Sequence, residues 1–456
     1  MNKTFALSKI SPAPAHGKFR AWRRLPVAAL VLLCSVWSVW AAGPVSSAET
    51  LLLTGGVVHT ASGPVLTNTP VFVKDGRIET IGKGAPTKAD KVVRLEGQHV
   101  YPGLIAASTS VGLIEIPAIR ATRDVTEVGV FTPEVQSWVA VNPDSELIPV
   151  ARANGIACIV PVPEGGTISG QSGLLALAGW TCEEMLVRPG VAMNLTWPSA
   201  QLDLTPKENS RDKAHWKSPE DQARERLVKE AGLQQFLDLA RAHAKQPGDP
   251  VPALEAMKPF LGTDRPWVIR AEDIREIRAA LRWTATNNLK MVLLGGRDSA
   301  QLATELAERH VPVIFEHVYD LPSQDHLGYD ANFRAAAILQ KAGVKVIFGF
   351  AGSAMAHEPS NLRNLPYEAG QAISFGLPED EALKAITLYP AEVFGVADRL
   401  GSLDAGKDAT FVVVDGSIFD DRAQVRRLWI AGREVSLESR HTRLYEKYRQ
   451  RPRPKQ

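Results

Sequence analysis

Apolar positions fall into three textures along the chain. From residue 50 to about residue 100, short apolar runs alternate with polar positions at a period of two, which predicts strands. Leu51-Leu52-Leu53-Thr54-Gly55-Gly56-Val57-Val58 reads as a strand with a glycine break. Val71-Phe72-Val73-Lys74 and Arg77-Ile78-Glu79-Thr80-Ile81 flank Asp75-Gly76, the dipeptide that best suits a tight hairpin turn. The same texture returns near the end. Thr410-Phe411-Val412-Val413-Val414 precedes Asp415-Gly416, and residues 425–430 and 433–435 flank Ala431-Gly432. These two ends predict one small composite β-sandwich, built from residues 49–100 plus 401–436.

Between them, apolar strands alternate with amphipathic helices. Strands are predicted at 156–162, 267–269, 291–294, 311–315 and 344–350. Helices are predicted at 273–286, 299–309, 332–342, 367–375 and 379–387. This alternation implies an α/β unit over residues 101–400 with a parallel sheet, open or closed into a barrel. Residues 200–265 break the pattern with a polar stretch and a charged helix from 218 to about 244, read as an insertion over one end of the barrel. Residues 437–456 are basic. Arg440, Arg443, Lys447, Arg449, Arg451, Arg453 and Lys455 outweigh Glu438 and Glu446. The plain reading is a solvated, frayed terminus, and the sharper one is contact with an anionic membrane surface.

Charge and cysteine content refine this picture. The formal net charge is +2 over 456 residues, but residues 1–48 hold six basic side chains and no acidic one, so residues 49–456 carry −4. Nothing there points to nucleic acid. The basic stretch ends at Arg23-Arg24, an apolar run covers 25–40, and Ser46-Ser47-Ala48 has the small-x-small form of a cleavage site. Residues 1–48 therefore read as a signal peptide, with an uncleaved membrane anchor as the alternative. The expected location is the periplasm or cell envelope. Cys34 belongs to the apolar run. Cys158 and Cys182 would meet an oxidising compartment; separate burial is expected over pairing.

Three stretches carry a family resemblance. They are Tyr101-Pro102-Gly103-Leu104-Ile105; Leu365-Pro366-Tyr367-Glu368-Ala369-Gly370 with Ala382-Leu383-Lys384-Ala385-Ile386-Thr387 and Pro390-Ala391-Glu392; and Gly401-Ser402-Leu403-Asp404-Ala405-Gly406-Lys407-Asp408-Ala409. In order and spacing they resemble the amidohydrolase superfamily, in its imidazolonepropionase-like branch. The resemblance covers roughly residues 50–436. It implies a (β/α)8 TIM barrel with a β-sandwich from both chain ends. It also implies divalent metal held by histidines at the C-terminal ends of barrel strands, where metal activates water and polarises the scissile carbonyl.

The chain departs from that pattern at the ligand positions. Where the family carries Asp-x-His-x-His after Pro-Gly-Leu-Ile, this chain has Ala106-Ala107-Ser108-Thr109-Ser110. The fifth strand ends in Arg270, the sixth in Gly295-Gly296, and Ala351 stands where the eighth should end in aspartate. Serine hydroxyls are poor metal ligands, and a guanidinium is a permanent cation. The expectation is a family member without its binuclear metal site and without a cofactor, acting as a binding or partner subunit. Small-molecule ligands, homo-oligomers and pairing with an active homologue all remain open.

The competing reading is a hydrolase of cyclic amides or dipeptide-like C–N bonds with one relocated divalent metal, zinc above all. His317, His326 and His357 would hold it, near Glu316, Asp320 and Asp325. The glycine-rich Glu164-Gly165-Gly166-Thr167-Ile168-Ser169-Gly170-Gln171-Ser172-Gly173 is not followed by a helix, so it does not fit a phosphate cradle. By the resemblance, Gly170 and Gln171 could face substrate, and Tyr319 is a further candidate. Arg270 with Glu272 and Asp273 is expected to form an ion network in the vacated site.

Overall fold

The computed structural model describes residues 49–246, 248–350 and 359–452, and residues from Glu49 onward form one compact unit. The apolar run at 25–40, Cys34, Ala351 and His357 lie outside the described residues. Two sheets face each other at one side of the molecule. A four-stranded sheet has the order Arg77–Ile81, Val71–Lys74, Thr50–Thr54, Lys91–Arg94. A six-stranded sheet has the order Arg433–Val435, Val425–Ile430, Phe411–Val414, His99–Pro102, Val57–Val58, Leu66–Thr67, so strands from both ends of the chain share it. Leu51, Leu53, Val71 and Ile78 of the first sheet pack on Phe411, Val413 and Trp429 of the second. Alternation in each strand sends one face inward, which is why the two distant segments meet over a common core.

Asp75 and Gly76 both have positive φ, at 52° and 75°, and Lys74 pairs with Arg77 across them. Ala431 and Gly432 repeat the device at 49° and 80°. The two turns touch: a Cβ on Gly432 would lie 2.3 Å from the Gly76 Cα. Glycine is required there both by conformation and by space.

An eight-stranded sheet forms the barrel. Its strands, in chain order and in spatial order, are β1 (Leu104–Thr109), β2 (Ile156–Pro161), β3 (Ile168–Ala176), β4 (Leu186–Thr196), β5 (Trp267–Ala271), β6 (Met291–Gly295), β7 (Val313–Phe315) and β8 (Val346–Phe348). Just beyond β8, the Phe350 N–H donates to the Ser108 carbonyl of β1 at 3.0 Å, closing the sheet. Strands β4 to β8 pair in parallel, as do β1 and β2. β3 is antiparallel to both neighbours. This is an amidohydrolase-like TIM barrel in which one strand of the eight runs backwards, because only residues 162–167 join β2 to β3. That link is too short for a crossover helix, so β3 can only return as a hairpin.

The helix Pro219–Lys245 begins at its Ser218 cap, and its Gln234 and Arg241 bind Asn287 while Trp283 donates to Gln234. It lies against the outer helix Ile274–Thr286, and its Phe236 stacks on Phe131 of the β1–β2 connection with ring centroids 4.7 Å apart. Cys158 is buried in β2, Cys182 is only half-buried, and the two are unpaired. Burial pushes the Cys158 thiol up to about 12. Beyond residue 436 the chain is not frayed: Arg440–Arg449 is a helix, though every one of its side chains is exposed.

Candidate functional site

The C-terminal ends of β1, β5 and β7 carry a largely buried chain of polar and charged groups. Apolar strand interiors are followed at once by Arg270 on β5 and by Glu316 and His317 after β7, so the strand ends deliver these groups to one place. Ser108 Oγ donates to Glu316 Oε1 at 2.7 Å, and Arg270 Nη1 donates to Glu316 Oε2 at 2.8 Å. The same Arg270 nitrogen lies 3.6 Å from Glu272 Oε1. His317 Nε2 meets Glu272 Oε2 at 2.7 Å, and His317 Nδ1 meets Asp320 Oδ2 at 2.7 Å. Glu316 and His317 are almost fully buried.

The protonation states follow from these contacts. Burial acts to lower the His317 pKa, but hydrogen bonds to Asp320 and Glu272 outweigh it and raise the value to about 9. Carboxylates on both ring nitrogens require a proton on each, so His317 is an imidazolium at neutral pH. Burial likewise works against the Arg270 guanidinium, and Glu316 and Glu272 hold it charged. Burial lifts Glu272, yet His317 and Arg270 together keep it below the usual glutamate range. Glu368, on the helix Leu365–Ser374, is the exception. Burial, then Glu316 and Asp320, push its acid well above the ordinary value, and its Oε2 has no hydrogen-bond partner. It is a neutral carboxylic acid beside the charge chain. Burial and Glu368 raise the Tyr319 hydroxyl to about 12.

Against the family's ligand positions, this donor set does not fit a binuclear metal centre. Ser108 is committed to Glu316, and Ser110 is buried. Arg270 places a fixed cation at the end of β5. At Gly295 a Cβ would lie 2.3 Å from Glu272 Oε1, so the Glu272 carboxylate fills the space a ligand at this position would need. Of the relocated set, His317 is buried between Glu272 and Asp320, His326 is exposed, and His357 lies outside the described residues. Among the described residues, no three His, Cys, Asp or Glu side chains gather as a group able to hold a metal ion.

Other expectations divide. Arg270 and Glu272 do join one network, but Asp273 does not. It caps the helix Ile274–Thr286 through the Arg275 and Glu276 amides and pairs with Arg275. Its place is taken by Glu316, from a strand two further along. Gly170 and Gln171 are corrected as substrate-facing residues: they sit inside β3, not in a loop. The Gly170 carbonyl accepts from Asn194, and the buried Gln171 amide donates to the Pro133 carbonyl at 3.0 Å. Tyr319 is 41% exposed and stays accessible. His59 and His99 are packing residues: they share a 2.9 Å hydrogen bond and stack with Tyr101. Sequence reasoning missed Glu368 as a buried acid. Its signal was an acidic residue inside an apolar helix face, Ala369, Ala372 and Leu365 being its buried neighbours.

A closed barrel whose strand ends carry the functional groups is the architecture of the metal-dependent hydrolase barrels. Residues 268–435 match the amidohydrolase family. The match runs from β5 through the last sandwich strand, and over that span the chain resembles the amidohydrolase superfamily. An amidohydrolase structure from Thermotoga maritima superposes with a TM-score of 0.73 at 22% identity, covering 85% of this chain and 99% of that one. Molinate hydrolase superposes at 0.50 with 15% identity, over 86% and 95%. At these identities the likeness is one of fold. Amidohydrolase tasK of Hapsidospora irregularis is 36% identical over 72 residues, 16% of this chain and 7% of that protein. N-acetylglucosamine-6-phosphate deacetylase of Danio rerio is 40% identical over 60 residues, 13% of this chain and 14% of that protein. The match thus spans only a small part of either relative.

Proposed function

We propose that this chain is an exported amidohydrolase-superfamily protein that works without the family's metal centre, as a binding or partner subunit and not as a hydrolase. The observation that carries this reading is the Arg270 guanidinium, its side chain 21% exposed and 2.8 Å from the buried Glu316, at the strand end where the resemblance places a metal-binding histidine. Hydrolysis in the family needs a cation that lowers the pKa of a bound water. A divalent ion beside Arg270 and the His317 imidazolium would be repelled by both. Glu316, Glu272 and Asp320, the carboxylates of the network, are already paired. Such a network holds strand ends together without offering a nucleophile. Export rests on the apolar run at 25–40 and the small residues at 46–48. An active homologue or a second copy of the barrel is the partner the reading favours.

The measurement is metal content of residues 49–456, produced without chelator, by elemental mass spectrometry, together with turnover of cyclic amides and dipeptides with and without added zinc. Far less than one metal per chain and no zinc-dependent turnover are expected. Near-stoichiometric metal with turnover would overturn the proposal in favour of a hydrolase with a relocated site.

A further inference from the structure

The helix Arg440–Arg449 is well formed yet buries nothing. Ser439 and Thr442 make a reciprocal capping box, and Lys447 and Arg449 sit in its last turn, where cations suit the helix dipole. Its inner side is fixed to the body. Leu437 packs on the main core, Ser439 is buried, and Arg443 lies 3.5 Å from Glu146 and 3.8 Å from Glu438. Its outer side is different. His441, Leu444, Tyr445 and Tyr448, at i, i+3, i+4 and i+7, share one face. Leu444, Tyr445 and Tyr448 are 38%, 65% and 60% exposed.

Cations border that face. Arg440 and Lys447 lie along one edge and Arg449 along the other. Lys447 stands 5.7 Å from the Tyr448 ring and Arg449 6.0 Å from the Tyr445 ring. Among the described residues, Arg440, Lys447 and Arg451 have no carboxylate within salt-bridge distance. Residues 437–456 hold seven basic residues against two acidic ones, on a unit whose charge is otherwise negative.

We propose that this helix docks the protein onto an anionic phospholipid surface, its tyrosine–leucine face seated at the headgroup level and its arginines and lysines against the phosphates. Charge complementarity selects the surface, and the exposed rings select a bilayer over other polyanions. Tyrosine places an apolar ring and a polar tip at such an interface, and long basic side chains reach around it to the headgroups. Nucleic acid would use the cations but leave a leucine and two tyrosines on one face without a role.

The test is co-sedimentation of residues 49–456 with vesicles of phosphatidylcholine, alone or with phosphatidylglycerol. Removing residues 1–48 takes away the other apolar segment. Binding to the phosphatidylglycerol vesicles that is lost at high salt, with none to pure phosphatidylcholine, is expected. The triple variant Arg440→Gln, Lys447→Gln, Arg451→Gln should weaken partitioning roughly a hundredfold. The double variant Tyr445→Ser, Tyr448→Ser should weaken it roughly tenfold while leaving its salt dependence in place. Both should melt like the parent, since the helix buries no side chain. Equal binding to both vesicle types, or anionic binding that neither variant weakens, would overturn the proposal. So would duplex DNA binding as tight as vesicle binding and indifferent to the tyrosine changes.

Discussion

Arg270 lies between two carboxylates, one of them fully buried, so its loss strands Glu316 without a counter-charge. Arg270→His is too short to span both Glu316 and Glu272, and a loss of about 3 kcal/mol in urea unfolding is expected. An unchanged or raised melting temperature would count against the network. His317 adds a pH dependence. Its folded value of about 9 exceeds the ordinary 6.5, so its contribution is complete below pH 6.5 and is lost as pH rises through 9. That amounts to on the order of 3 kcal/mol. Glu368 has the same sign: it is raised, so the fold weakens as pH climbs above the ordinary glutamate range. Glu272 is held low and has the opposite sign, its contribution fading only as pH falls into the acid range. Stability measured by denaturant from pH 6 to 9 should therefore decline. Glu368→Gln, which keeps the neutral form at every pH, should flatten the decline and raise the melting temperature at pH 8. A steeper slope in that variant would contradict the neutral assignment.

At the scale of elements, the hairpin turns were legible because they depend on neighbouring residues alone. Asp75-Gly76 and Ala431-Gly432 turn where their chemistry says they should. Gly76→Ala combines a φ of 75° with a Cβ 2.7 Å from the Ala431 carbonyl oxygen. A loss of about 1–2 kcal/mol is expected, seen as a lower thermal midpoint. β3 and β4 were less legible. The glycines at 165, 166, 170 and 173 suggested a loop, and Pro189-Gly190 interrupts the strand pattern of β4. In the fold, β3 passes close to the segment around Val135, and cross-strand pairing overrides the local preference for a turn.

At the scale of the whole molecule, the strand ends are held by protein charges where the superfamily resemblance expects metal. If that replacement is complete, a strong chelator should leave both the thermal midpoint and the circular dichroism of residues 49–456 unchanged. A drop of several degrees that added zinc reverses would show that metal belongs to the fold. The composite sandwich makes a separate demand. Phe411–Val414 pairs with His99–Pro102 across more than 300 residues of chain, so the first sheet's apolar face is covered only after the last strands are made.

The sequence by itself determined the alternation of strands and helices, the hairpins, the shared texture of the two ends, and the absence of histidine at Ser108, Ser110, Arg270 and Gly295. Each is a property of residue identity or of short-range spacing. Tertiary structure alone decided that Glu316 and not Asp273 pairs with Arg270, that Glu272 occupies the space beside Gly295, that Glu368 is a neutral buried acid, and that β3 runs backwards. Those outcomes depend on which strand ends become neighbours and how much water is excluded there. Ion pairing and burial act between residues tens to hundreds of positions apart, and no local pattern in the chain encodes them.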